Sequence, residues 1–248
     1  MNIWLGIAGL GVVLLTSAVM GAFVILRRKT PATFREIPAV ERLRKAVSRV
    51  VEDGSRLHVS LGRAPLYTPQ SSSALAGLTV LRRLADLTSA GDQPPIATSG
   101  DAGLAIVSQD MLQSGSQATA RGRYDPTAGR LTGLTPFSYA AGALPAMRDE
   151  NVSANVLIGN FGVEVALLTD AAQRKDTFSL AGSDNLAAQA VLYASAQEPL
   201  IGEEVYATGA YIGAGRLHQA SLLTQDILRW LLILGILVGT LLKLAGIL

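Results

Sequence analysis

Residues 153–194 constrain the fold more than any other stretch. They read SANVLIG, NFGVEVALLTDAAQRKD, TFSLAG and SDNLAAQAVLYA, the pattern of strand, helix, strand and helix. Val156-Leu157-Ile158 is a short apolar run closed by Gly159-Asn160, as in a strand buried on both faces. Phe161, Val165, Leu168 and Ala172 recur at helical spacing, so one helix face can lie on a sheet. Thr177–Leu180 forms the next strand, Gly182 turns the chain, and Ser183 or Asp184 is placed to cap the following helix. Leu186, Ala190 and Tyr193, with Ala187, Val191 and Ala194, mark the packing face expected of that helix. Two strands joined by a helical crossover run parallel and right-handed.

The same unit recurs upstream. Arg56–Leu61 alternates, with Leu57, Val59 and Leu61 on one side and His58 and Ser60 on the other. A helix carrying Leu75, Leu78, Leu81 and Leu84 follows, with Ser71, Ser72 or Ser73 as its cap. Then come a small strand at Ile96–Thr98 and a helix with Leu104, Val107 and Met111. Ser114–Gly133 is polar and Gly-rich, with turn signals at Tyr124-Asp125-Pro126, and predicts an edge hairpin. Thr135-Pro136 opens a helix over Phe137–Arg148, which Pro145 is expected to kink or end. Pro199 predicts the opening of another helical segment. The fold class expected is α/β, a Rossmann-like and mostly parallel sheet with flanking helices.

Both chain ends are apolar. Ile3–Leu26 carries no charge and is long enough to span roughly 30 Å of hydrocarbon as a helix. Arg27-Arg28-Lys29 follow it directly and no Lys or Arg precedes it, which favours a retained anchor over a cleaved leader. The positive-inside rule then puts the amino terminus outside and the next residues in the cytoplasm. Trp4 stands where an interfacial aromatic belongs. Trp230–Leu248 is apolar apart from Lys243, just long enough for a second span with Arg229 on its near side. Gly235 and Gly239 form a small-xxx-small pair within it, a means of packing against the first span, another copy or a membrane-protein partner. The expected division is a transmembrane helix at 3–26, a juxtamembrane linker and amphipathic helix at 27–54, a cytoplasmic α/β domain at 55–217, and a helix at 218–248 that runs into the second span. The expected location is the inner (plasma) membrane, with the lipid bilayer as partner and both termini outside. In the amphipathic helix Ile37, Val40, Leu43, Val47 and Val50 make the apolar face. Its charged face, Glu41, Arg42, Arg44, Lys45 and Arg49, is either an anionic-lipid contact or a solvated surface.

Composition removes several chemistries. The chain has no cysteine, so disulfides, thiol nucleophiles and Cys-ligated metals are excluded. With His58 and His218 as its only histidines, a multi-His metal site is not expected. The net charge is only +2, and no Lys/Arg stripe interleaved with aromatics supports nucleic-acid binding. Neither a dinucleotide fingerprint nor a phosphate loop is present, and no cofactor is expected.

Three strand-to-helix turns are alike: Ser99-Gly100-Asp101, Gly159-Asn160, and Gly182-Ser183-Asp184-Asn185. In an open parallel sheet such turns gather at the carboxyl edge, where ligands bind. They contain no Lys or Arg, so a hydroxyl, an amine or a polar headgroup suits them better than a phosphate. The competing reading makes each of these residues an ordinary cap or turn residue. Hydrolysis would need Ser99 or Ser183 with Asp101 or Asp184 and His58 as base, without the G-x-S-x-G motif.

The runs LHVSLG at 57–62, SGDAG at 99–103, LTPFSYAAG at 134–142, LIGNFG at 157–162 and AGSDN at 181–185 resemble an uncharacterised bacterial family of membrane-anchored proteins whose domain has no assigned function. The resemblance covers residues 35–230 and implies no activity, cofactor or catalytic residue. Three functions stay open at this point. They are a membrane-tethered module for binding, sensing or scaffolding, an enzyme acting on a small polar or lipid-derived substrate, and a structural subunit of a membrane assembly.

Overall fold

A computed structural model describes residues 3–26, 34–117 and 125–246. The basic run at 27–29 and Tyr124, both used above, lie outside the described residues, and of Trp4 only the helical backbone is described. The chain forms two units, Glu36–Ala214 and the two ends together, 1–35 with 215–248.

The ends contribute helices α1 (Ile3–Leu26) and α9 (Arg216–Leu244), both long and apolar enough to cross a membrane. A Cβ added at Gly235 or Gly239 would meet nothing, so these glycines do not serve close packing of α9 on α1.

The α/β unit opens with α2 (Pro38–Glu52), whose buried face is Ala39, Val40, Leu43, Ala46, Val47 and Val50. Then come β1 (Arg56–Gly62), α3 (Ser72–Thr88), β2 (Ile96–Ser99), α4 (Ala102–Gln117), β3 (Gly129–Leu131), α5 (Pro136–Asp149), β4 (Val152–Asn160), α6 (Val165–Arg174), β5 (Phe178–Gly182), α7 (Leu186–Ser195), β6 (Glu198–Leu200) and α8 (Glu204–Tyr211). The sheet has six strands in the order β3-β2-β1-β4-β5-β6, and every pairing is parallel. This is the doubly wound Rossmann order. One core, shared by α2, α3, α4 and α8, covers one sheet face. A second core, built by α5, α6 and α7 around Tyr139, Phe161 and Leu168, covers the other. With both faces covered a strand can read as an apolar run, which is how β4 was legible, whereas β1 was legible from the alternation of Leu57, Val59 and Leu61 with His58 and Ser60.

Several sequence expectations are corrected. Ser114–Gly133 holds no hairpin among its described residues: Ser114–Gln117 continues α4, and Gly129–Leu131 is an edge strand parallel to β2. Gly115 is there because α4 crosses α3 so closely that a Cβ would lie 2.8 Å from Ala85 Cβ. Pro145 does not end α5. It lies on the solvent side with Ala141, where water can serve the carbonyl that loses its donor. Pro199 does not start a helix but lies within β6, an edge strand, where a missing N–H is tolerated. The packing face of α7 is Ala188 and Leu192, while Leu186 and Tyr193 are exposed. Its cap is Asn185, whose Oδ1 accepts from the Ala187 and Ala188 N–H groups, rather than Ser183 or Asp184.

Candidate functional site

Because all six strands run the same way, the loops after them share one edge of the sheet. In the observed order the connection reverses between β1 and β4, and this switch point is where a doubly wound fold opens its ligand crevice. At this point the backbones of β1 and β4 approach closely. Gly62 (φ +73°) and Gly159 sit where the strands meet: a Cβ on Gly62 would lie 2.3 Å from Asn160 O, and one on Gly159 2.0 Å from Leu61 O. These glycines serve backbone contact between β1 and β4. The Arg63 N–H donates to Asn160 O at 3.0 Å, and the Gly100 N–H to Gly62 O at 2.9 Å.

Side chains bond to one another across this edge. Arg63 Nε pairs with Glu164 Oε1 at 3.0 Å across the reversal, and that carboxylate is almost wholly buried. The same oxygen accepts from the Gly162 N–H at 2.9 Å. Asn160 Nδ2 donates to Asp184 Oδ1 at 2.8 Å, and the Phe161 N–H donates to Ser183 Oγ at 3.1 Å. The turns after β4 and β5 are therefore tied together. The turn after β2 is tied to β1 and β3 instead, the latter through the Thr132 N–H to Ser99 O at 2.9 Å. Asp101 Oδ1 accepts from the Leu104 N–H at 3.0 Å and so braces the start of α4. Ser99 Oγ donates to Asp101 O. No hydrogen bond among the described residues joins Asp101 to Asp184. Arg63 and Glu164, which hold the middle of the edge, were not anticipated. The available signal was a carboxylate between two valines, where burial obliges a partner.

The triad arrangement is excluded by geometry. His58 is fully buried beneath the sheet face. Its Nδ1 meets Asn155 Oδ1 at 3.1 Å and its Nε2 meets Thr98 Oγ1 at 2.9 Å, so no nitrogen faces Ser99 or Ser183. Burial pushes its pKa down to about 4 despite the Asn155 bond, which raises it. The network continues from Asn155 Nδ2 to Thr177 Oγ1 at 2.9 Å. Beside it Tyr139 bonds Ser60, and burial raises the phenol to about 12.

Large apolar side chains are exposed beside these contacts. Tyr67 after β1, Leu134 and Phe137 after β3, Val163 after β4 and Leu186 after β5 are each more than half exposed. One protein-family model matches residues 3–248. The chain belongs to this family, the domain of unknown function DUF6754. No curated protein and no solved structure matches it. The DUF6754 match takes in both apolar helices and the whole α/β unit. The family carries no assigned chemistry, so the DUF6754 site has to be read from its own geometry.

Proposed function

We propose that the chain is a membrane-tethered module for binding, sensing or scaffolding, which recognises a protein surface through the carboxyl edge of its sheet. The observation that carries this reading is the pairing of a switch point bridged by side-chain bonds with large apolar side chains exposed beside it. A small-molecule enzyme needs a concave pocket with free polar groups, and here Arg63 and Glu164, and Asn160 and Asp184, are bonded to each other. Five exposed large side chains at four strand-to-helix connections suit a macromolecular interface, where aromatic residues are enriched. The enzyme reading, with Asp101, Asp184 or His58, is weaker because each of these groups is already engaged in holding the fold.

In this reading α1 and α9 span a plasma (inner) membrane, the termini lie outside and the α/β unit is cytoplasmic. Gly235 and Gly239, open on α9, would meet a second copy or another membrane helix. The cysteine-free chain makes both parts testable. Single cysteines at Asn2, Ser116 and Leu248 in intact cells should label with an impermeant thiol reagent at the two ends only. Labelling of Ser116→Cys would place the unit outside. Photocrosslinkers on Phe137→Cys and Leu186→Cys should give a discrete adduct that Ile106→Cys, equally exposed on α4, does not. Adducts of equal yield from all three positions, or from none, would refute the rim as a recognition surface.

A further inference from the structure

The opposite edge of the sheet holds a second site. There α2 crosses the amino ends of β4, β5 and β6. It is held by Arg42, whose guanidinium makes a two-point ion pair with Glu198 at the start of β6, Nη2 to Oε2 at 2.6 Å. Lys45 and Arg49 follow Arg42 on the same helical face. Together they line a groove of about 420 Å³ against Phe178 and Gln197, with Asp53 and Asp176 also in its lining. Arg42 is spent on Glu198. Lys45, Arg49, Asp53 and Asp176 have no side-chain partner among the described residues. The groove thus holds two cations and two carboxylates that do not satisfy one another.

That balance selects a ligand. A plain polyanion would gain Lys45 and Arg49 but meet Asp53 and Asp176. A simple amine would meet the reverse. We propose that the groove binds a phosphate ester bearing an ammonium group, the phosphoethanolamine class. The phosphate oxygens accept from Lys45 Nζ and the Arg49 guanidinium, and the ammonium donates to the Asp53 and Asp176 carboxylates. Charge-assisted hydrogen bonds of this kind are among the stronger polar contacts available to a partly open site. The same chemistry is offered by a lipid headgroup and by the free soluble ester. Only residues 27–37 separate the apolar helix α1 from α2 in the chain. The site owes nothing to the carboxyl rim and stands whether or not the rim binds a protein.

The test uses the full chain in maltoside micelles, with calorimetric titration of three probes: O-phosphoethanolamine, dihexanoyl phosphatidylethanolamine and dihexanoyl phosphatidylglycerol. At least one ethanolamine compound should bind, and the glycerol lipid, which lacks the ammonium's contacts to both Asp53 and Asp176, should bind at least about tenfold more weakly. Binding of the short-chain lipid alone identifies a headgroup; binding of the free ester as well identifies a soluble ligand. Lys45→Gln with Arg49→Gln should weaken both ethanolamine compounds at least about tenfold. Asp53→Asn with Asp176→Asn should erase the preference over the glycerol lipid. All four positions are exposed, so unchanged circular-dichroism melts should accompany these losses. Equal binding of the two lipids to the native chain, binding of none of the probes, or titrations unaltered in the Lys45/Arg49 variant would overturn the proposal.

Discussion

Replacing His58 with glutamine should remove an acid sensitivity built into the core. The imidazole is wholly buried, and burial lowers its pKa from 6.5 to about 4. A base whose folded pKa lies below its unfolded value binds more protons when unfolded. Stability is therefore unaffected above the unfolded pKa, falls as pH drops below about 6.5, and levels off near the folded value. A gap of about two and a half units corresponds to about 3 kcal/mol in full, and the window between pH 7 and pH 5 contains about 2 kcal/mol of it. Urea unfolding of the full chain in maltoside, followed by far-ultraviolet circular dichroism, reads this directly. The apolar helices stay folded in the micelle, so the transition belongs to the α/β unit. His58→Gln should be less stable at pH 7, because the bonds to Thr98 and Asn155 are disturbed, yet nearly flat between pH 7 and pH 5. Asp125 and Glu150 are both held below the usual carboxylate range, Asp125 mainly by its Thr127 hydrogen bonds and Glu150 mainly by Arg130. They begin to cost stability only below their unfolded values near pH 4, and so leave the window clear. An equal loss in the native chain and in His58→Gln, or no loss in either, would refute a buried neutral imidazole.

Other perturbations separate packing from capping. Ser73 Oγ is buried without a partner among the described residues, so Ser73→Ala should raise the unfolding free energy by about 1 kcal/mol or more, the usual penalty for an unmet hydroxyl. Gly159→Ala would drive a Cβ to within 2.0 Å of Leu61 O; a loss above about 3 kcal/mol, or failure to fold, is expected in the same assay. Asn185→Ala removes the α7 cap and should cost about 1 kcal/mol. Asp101→Ala should cost a similar amount through α4.

The architecture was legible because its signals are local. Val156–Ile158 is apolar enough for a central strand and Leu57–Leu61 alternates; Val165, Leu168 and Ala172 keep helical spacing on α6 and are buried, while Phe161 is buried in the loop before it. Thr135 and Pro136 start α5 as their chemistry dictates, with the Thr135 N–H bonded to Ser138 Oγ. Strands of three residues left no period to detect, so β3 and β6 were missed. The packing face of α7 was misread because alanines on several faces give weak contrast, and Leu186 turned outward against its hydropathy. The three turns were rightly placed in relation to strands and helices. Their long-range partners were beyond sequence reasoning, since Arg63 meets Glu164 across a separation of 101 residues and only the strand order brings them together.

The closed switch point bears on function through one energetic argument. Opening it for a nucleotide would separate a nearly buried carboxylate from its guanidinium and its Gly162 N–H. Breaking a buried pair costs about 3–5 kcal/mol, and Asn160 would also have to leave Asp184. A ligand would spend that much before gaining any affinity, a loss of at least about a hundredfold in binding. Neither the sheet edge nor its loops offers a phosphate-binding motif in return. The apolar side chains around the closed centre carry no such penalty: Tyr67, Phe137 and Leu186 already stand in water, and covering them is favourable from the first contact. On the proposed reading, contact with a partner surface breaks no such buried pair, whereas a small molecule entering the crevice has to break one first.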